Sequence, residues 1–225
     1  MADRPIIFSA ATIRALLAGR KSQDRQVLKP QPYSPQSVVS VSDGRWMSCE
    51  PSPITGGTRQ MDPWRDLPHA IGDRLWVREA HYLTDTGDFE IAVFSQDSEA
   101  VREHVDLINR IAAQYGLPES WKAPHLSLRS PIHMHRWASR LTLTVTEVRV
   151  QRLHDITEAD ALAEGVGSLT VTTPKLGLAS VTAIEGYRDL WNILHGPAAW
   201  PANPWVAAIS FTVRQGNIDS IERAE

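Results

Sequence analysis

Alternating apolar and polar positions predict several strands along the chain. The longest covers 140–153, where leucine and valine alternate with threonine, and 205–213 alternates in a similar way. Residues 71–79 combine a turn with a strand, 5–8 form a short apolar strand, and 89–94 predict one arm of a hairpin. Because successive side chains of a strand point to opposite faces, each segment would bury one side of a sheet.

A spacing of three to four residues between apolar positions predicts short helices. They lie at about 10–17, 97–115, 157–165 and 182–195. Ser9 can cap the first helix, and Thr157 and Thr182 open the third and fourth as capping boxes. Gly19 and Gly165 follow the first and third helices, where glycine commonly ends a helix.

Three stretches interrupt these patterns and predict insertions at about 30–70, 84–130 and 167–183. The first is rich in proline, serine and glycine and the third in threonine, so both are predicted to be loops. We find no internal repeat and no clean boundary between domains. We therefore expect one domain over 1–225, of the α+β class, built around a curved sheet or small barrel.

The amino-acid composition is typical of a globular protein and disfavours several other classes. The 225 residues are 42% hydrophobic and 22% charged, which is ordinary for a globular protein. A formal net charge of −3 argues against a general polyanion binder, so nucleic acid would need a local basic patch. Cys49 is the single cysteine, which is compatible with a reducing cytoplasm. We expect no membrane span and no secretion signal, because every apolar run is too short.

The turn after the first helix carries candidate chemistry in Lys21, Ser22 and Asp24. Cations after a helix end offset the helix dipole by about 0.3–1 kcal/mol, so Lys21 is either a helix-end charge or a lysine held near a substrate. Glu164 lies in the last turn of its helix, where a carboxylate opposes the dipole. It is either an exposed, tolerated charge or a carboxylate paired with Lys21. Such a pair can relay protons in amide cleavage.

Tryptophan is abundant, with eight residues against four tyrosines and four phenylalanines. The segment "RSPIHMHRWASR" (129–140) combines arginines with Trp137, which suits phosphate contact with base stacking. The alternative is a tryptophan that closes the core beside solvated arginines. Trp76 and Arg78 allow the same two interpretations.

Motifs of several enzyme classes are missing from the sequence. It has no P-loop, G-x-G-x-x-G or G-x-S-x-G, so nucleotide hydrolysis, dinucleotide binding and α/β-hydrolase chemistry have no support. His125, His133 and His135 lie close together, but neither paired cysteines nor an H-E-x-x-H helix accompanies them. We therefore expect no metal site and no cofactor.

Four segments together resemble the ASCH-domain proteins of phage and prophage genomes, within the PUA-like superfamily. They are "RALLAGRKSQDRQVLKPQP", "GDRLWVRE", "IHMHRWASRLTLTVTEVRVQRLHDITEADALAEGV" and "YRDLWNILHG…NPWVAAISF". The matching blocks, at about 5–29, 70–80, 131–166 and 185–213, cover less than half of the chain. The resemblance implies a small β-barrel with flanking helices, a cleft suited to RNA or a modified base, and the cytoplasm of a bacterial host or phage-infected cell.

Some ASCH relatives are amidohydrolases that remove the acyl group from N4-acetylcytidine. They use a lysine in a G-R-K-T turn, a threonine three residues after it and a glutamate in a later helix. Lys21 matches the lysine and Glu164 the glutamate, whereas Asp24 replaces the threonine nucleophile and Ser22 the first threonine of the turn. A carboxylate is a poor nucleophile toward an amide, so Asp24 would act as a base for water, or the activity would be altered or lost.

Three functions are consistent with these observations. The first is binding of RNA or a modified nucleobase by basic side chains and a stacking tryptophan. The second is hydrolysis of an N4-acylated cytidine or a similar amide, and the third is a phage structural or host-interaction scaffold. The catalytic residues would be Lys21, Asp24 and Glu164, and the substrate-binding residues Ser22, Arg25, Trp76, Arg78 and Trp137.

Overall fold

The computed structural model describes most of the chain. The described residues are 1–32, 38–42, 44–52, 56–61, 63–85, 90–94, 106, 110, 113–114, 116, 127–166, 169–173 and 177–222. They form a mixed α+β structure with many strands and few helices, which confirms the predicted class. Their strands pair in open sheets, and within these residues no sheet closes into a barrel.

The described strands and helices are as follows. The strands are β1 (Asp3–Ile7), β2 (Gln23–Val27), β3 (Val38–Ser42), β4 (Arg45–Pro51), β5 (Thr58–Gln60), β6 (Arg65–Asp66), β7 (Arg74–Arg78), β8 (His81–Asp85), β9 (Glu90–Phe94), β10 (Ser127–Arg129), β11 (Leu141–Arg152), β12 (Leu169–Thr173), β13 (Gly177–Val181) and β14 (Trp205–Gln215). The α-helices are α1 (Ala10–Leu17), α2 (Glu158–Ala163) and α3 (Ala183–His195). Short 3-10 helices cover Pro131–His133, Arg136–Ala138 and Leu153–Asp155.

Contacts divide the chain into two compact units. Unit 1 comprises Met1–Ala2, Ala18–Asp73 and Thr144–Val213. Unit 2 comprises Asp3–Leu17, Arg74–Leu143 and Arg214–Glu225.

Unit 1 contains a sheet in the order β11-β14-β2. β14 and β2 are antiparallel, with Ile209 opposite Asp24. A second antiparallel sheet has the order β3-β4-β5, with β6 paired to β4, and β12 and β13 form a hairpin. The core between α2, α3 and β14 includes Tyr187, Trp191 and Val206. Burial of this apolar surface stabilises the unit, since each fully buried large side chain contributes about 1.5–3 kcal/mol.

Unit 2 contains a parallel pair, β1 and β7, with Asp3 opposite Arg74. A separate antiparallel sheet has the order β10-β8-β9. α1 buries Ile13 and Leu16, and the amide of Thr12 donates to Oγ of Ser9, the predicted cap, at 3.3 Å. Gly19 follows α1 with a φ of +67°, a left-handed conformation that glycine adopts readily.

Most predicted elements are present where the structure describes the chain. Both capping boxes form, at the starts of α2 and α3, and the predicted strands correspond to β1, β7, β9, β11 and β14. The predicted helix over 97–115 falls almost wholly outside the described residues. No helix among those residues is both long enough and apolar enough to cross a membrane.

The two loop predictions are wrong in part. Residues 38–66 include the four strands β3 to β6, and the third stretch contains β12 and β13, which pair antiparallel. Short strands of this kind are joined by backbone hydrogen bonds, which any residue except proline can donate. Their side chains therefore show little of the alternation that predicts a strand.

Candidate functional site

Two segments far apart in the sequence meet just before β2 in unit 1. Lys21 and Glu164 form an isolated antiparallel β-bridge. The Ser22 amide donates to the carbonyl of Ala163 at 2.8 Å, and the Ser22 carbonyl accepts from the amide of Phe211 at 2.9 Å. The backbone thus fixes Lys21 beside the C-cap of α2, which is Glu164. Ser22 itself is exposed.

A glycine and an arginine shape the end of α2. Gly165 has a φ of +90°, which turns the chain away after Glu164. Nη1 of Arg20 donates to the Gly165 carbonyl at 3.0 Å. The Arg20 cation therefore donates a hydrogen bond at the C-terminal end of α2, where the helix dipole favours a positive charge.

The Lys21 ammonium lies between two carboxylates. Its Nζ donates to Oε2 of Glu164 at 2.7 Å and lies 3.1 Å from Oδ1 of Asp24. The side chains of Lys21 and Glu164 are 6% and 3% exposed, whereas that of Asp24 is 19% exposed. The structure therefore brings together the three residues predicted as catalytic, and Asp24 is the member that solvent reaches most. The interpretation of Glu164 as an exposed charge is wrong.

Lys21 and Glu164 both retain protons more strongly than they do in water. Burial lowers the pKa of Lys21, but the carboxylates of Asp24 and Glu164 outweigh burial, and the pKa is raised. Burial raises the pKa of Glu164, and Asp24 adds to this effect while Lys21 and Arg25 oppose it. The pKa of each group is thus set by its burial together with the charges that face it.

Arg25 occupies the inner side of β2. Its side chain is fully buried, and its Nη1 donates to Oε1 of Glu164 at 2.9 Å and to Oε1 of Gln23 at 2.6 Å. Its Nη2 lies 3.2 Å from Oδ2 of Asp160. The guanidinium carbon lies 5.8 Å from the centre of the Tyr187 ring. Both oxygens of Glu164 are thus held by cations, one by Lys21 and the other by Arg25.

Helix α3 contributes residues that the sequence did not indicate. Burial, the Glu164 carboxylate and a hydrogen bond with Glu164 raise the pKa of Tyr187. Tyr187, Trp191 and His195 follow one another at helical spacing, and the rings of Trp191 and His195 are 4.2 Å apart. Burial lowers the pKa of His195, although the nearby Asp24 acts in the opposite direction. The spacing of four residues was the available signal, but it equally indicates a core-facing helix.

The remaining predicted binding residues lie in unit 2. Trp76 is buried, and the Arg78 guanidinium lies over its ring at 4.5 Å. Nη1 of Arg78 also donates to the carbonyl of Ile132 at 3.2 Å. Trp137 is 46% exposed, and its ring is nearly parallel to that of His135, with centres 6.5 Å apart. Of the two tryptophans predicted to bind substrate, Trp137 is therefore the exposed one.

Across the residues that the structure describes, no three histidine, cysteine, aspartate or glutamate side chains are grouped so that they could hold a metal ion. His133 and His135 are exposed, and His125 lies outside the described residues. Cys49 is buried and unbridged.

Comparisons with known proteins identify no family for this chain. The chain matches no protein-family model, no curated protein and no solved structure. The resemblance to ASCH-domain proteins therefore stays a prediction from the sequence.

Proposed function

We propose that the protein hydrolyses the amide of an N4-acylated cytidine or a similar acylated base. The observation that carries this proposal is the position of the Lys21 ammonium, 2.7 Å from Glu164 and 3.1 Å from Asp24. A lysine between two carboxylates of unequal exposure supplies both a proton donor and a proton acceptor. The substrate class comes from the resemblance to ASCH-domain proteins, whose PUA-like barrel we propose for the fold.

Asp24 is the proposed general base. Its carboxylate is the most exposed of the three groups, so a water molecule can reach it. Asp24 takes a proton from this water while the oxygen bonds to the acyl carbon of the substrate. This role removes the difficulty that a carboxylate is a poor nucleophile toward an amide.

Lys21 is the proposed electrophile and proton donor. Its ammonium stabilises the negative charge that develops on the acyl oxygen, and it gives a proton to the leaving amine when the C–N bond breaks. The proton on Asp24 then returns to Lys21 over 3.1 Å. The products are a carboxylic acid and the free amine, and both side chains regain their initial protonation. Glu164 holds the ammonium in place throughout.

A second candidate is recognition of RNA or a modified nucleobase without chemistry. It is favoured by the exposed face of Trp137 in unit 2, beside the parallel ring of His135. Aromatic faces of this kind stack on unpaired bases, and each base so stacked contributes about 1–3 kcal/mol. We place either activity in the bacterial cytoplasm, where RNA and free nucleosides are both present.

Incubation of the purified protein with N4-acetylcytidine tests the first proposal. We expect release of cytidine by the wild type, and loss of release in Lys21→Ala but not in Arg188→Ala, an exposed cation of α3 that pairs with Asp189. Absence of hydrolysis with retained, salt-dependent binding of short RNA would favour the second candidate. Absence of both would favour the phage scaffold, which capture of partners from infected cells would test.

A further inference from the structure

The contacts of Arg25 extend beyond Glu164 into a closed chain of polar side chains in unit 1. We call this chain the polar ring. Its members are Arg25, Gln23, Ser210, Glu147, Arg149 and Asp160. It connects β2, β14, β11 and α2, which are the elements that surround the Lys21–Glu164 pair.

One half of the ring runs along the strands. Nε2 of Gln23 donates to Oγ of Ser210 at 3.2 Å, and Oγ of Ser210 donates to Oε2 of Glu147 at 3.3 Å. Nε of Arg149 lies 3.4 Å from the same Glu147 oxygen. This half ends at the surface, because the side chain of Glu147 is exposed and that of Arg149 is partly exposed.

The other half runs through the start of α2. Asp160 accepts from Nη2 of Arg149 at 2.7 Å through one oxygen and faces Nη2 of Arg25 at 3.2 Å through the other. The same carboxylate accepts from the amide of Thr157 at 3.2 Å in the capping box. Arg25 is therefore held by a hydrogen bond to Gln23 of its own strand and by an ion pair with Asp160 of the helix that carries Glu164.

We propose that Arg25 is a positioning residue, which the polar ring holds so that its guanidinium fixes the second oxygen of Glu164. This inference rests on the proposed function, in which Glu164 orients the Lys21 ammonium. A planar guanidinium can contact Gln23, Glu164 and Asp160 at once, whereas an ammonium cannot span them. Because the Arg25 side chain is fully buried, its effect on a substrate passes through Glu164 rather than through direct contact.

The pKa of the Glu164 carboxyl depends on the charged and titratable groups that face it. Lys21, Asp24 and Arg25 face it from the segment around β2, and Tyr187 faces it from α3. Arg25 and Lys21 lower the pKa of Glu164, while Asp24 raises it. Loss of Arg25 alone should therefore raise the pKa of Glu164 further. A loosened fold would instead expose the carboxyl to water and lower its pKa.

The experiment is a carbon-13 NMR titration of the Glu164 carboxyl in the wild type, Arg25→Met and Arg188→Met. We expect the Glu164 pKa to rise in Arg25→Met and to stay unchanged in Arg188→Met, which loses an exposed cation of the same unit. If Arg25→Met does not fold, Gln23→Leu takes its place. This variant removes the hydrogen bond that Gln23 accepts from Arg25, and we expect the Glu164 pKa to rise by a smaller amount. An unchanged titration in whichever of the two variants folds would overturn the proposal.

Kinetics on N4-acetylcytidine separate this inference from the proposed function. We expect kcat to fall about tenfold in Arg25→Met, a part of the about 10²- to 10⁴-fold that acid–base groups contribute. We expect KM to change by less than about twofold, because a buried residue contributes no uniform binding. A shifted titration in a protein that hydrolyses nothing would retain the positioning role and reject the proposed reaction. If the wild type hydrolyses N4-acetylcytidine but the Glu164 titration is unchanged in Arg25→Met, the proposed reaction is retained and the positioning role is rejected.

Discussion

The Nζ atom of Lys21 lies 2.7 Å from Oε2 of Glu164, although the two residues are 143 positions apart in the sequence. Both side chains are almost completely buried. An ion pair in this environment contributes little net stability, because removing two charges from water offsets their attraction. Its retention in the protein interior is better explained by the reaction that we propose than by stability.

Replacement of Lys21 by methionine leaves the Glu164 carboxylate buried with Arg25 as its remaining cation. We expect the free energy of unfolding to fall by about 3–5 kcal/mol, because one partner of a buried pair is lost. The double variant Lys21→Met/Glu164→Gln should be more stable than the single one, since the buried Glu164 charge is removed together with the Lys21 charge that it faces. Urea unfolding of the four proteins in this cycle measures the coupling, and strictly additive losses would contradict the expectation.

Replacement of Asp24 by asparagine tests the proposed base. We expect hydrolysis of N4-acetylcytidine to slow by about 10²- to 10⁴-fold, as is usual when a general base is removed. The free energy of unfolding should fall less than in Lys21→Met, because Lys21 keeps Glu164 as its partner. Asp189→Asn, at an exposed position of α3, is the matched control. Full activity in Asp24→Asn would exclude this carboxylate as the base.

We predict that Asp160 stabilises the fold at neutral pH and that this contribution is lost in acid. Burial acts to raise the pKa of Asp160, but hydrogen bonds from Arg149 and Thr157 and the charge of Arg25 lower it to about 2. A carboxyl whose pKa is lower in the folded state stabilises the fold above its unfolded pKa, and this contribution is lost as the pH falls. We expect Asp160 to contribute about 2 kcal/mol at neutral pH, lost between about pH 4 and pH 2. Unfolding of wild type and Asp160→Asn across this range should give curves that converge at low pH, and parallel curves would contradict the assignment.

Trp137 allows a test of the binding candidate that does not involve the reacting groups. Trp137→Ala should weaken binding of short single-stranded RNA by about tenfold, which corresponds to about 1.4 kcal/mol of stacking. Trp64→Ala, at a tryptophan of unit 1 that is 37% exposed, is the control. Fluorescence titration at two salt concentrations measures both variants. Equal affinity in the two variants would remove Trp137 from the proposed binding surface.

Local signals in the sequence account for the elements that were predicted. The capping boxes at Thr157 and Thr182 involve residues only three positions apart, so the sequence contains both partners of each motif. Strands β3 to β6 are short and are joined to one another by backbone hydrogen bonds, which side-chain alternation does not record, so the sequence pattern did not predict them. The division into two units was also not predicted, since both include segments from widely separated parts of the sequence.

The candidate site was predictable only in part. The unfavourable position of Glu164 at a helix end and the resemblance of the Lys21 turn indicated the pair before its geometry was known. The burial of Arg25 was not indicated, because arginine is usually exposed and was interpreted as a contact to substrate. Its partners Asp160 and Tyr187 belong to two different helices, and each was already explained by a local role. Only the packing of these helices against β2 brings the three together.

Helix α2, whose C-cap is Glu164, is six residues long. Isolated helices of fewer than about 12 residues are not stable in water. The carboxylate therefore reaches Lys21 only after β2, α3 and the long strands have assembled around this single turn and a half of helix. A chain in which these elements have not assembled would contain Lys21, Asp24 and Glu164 but would lack the site that we propose for the reaction.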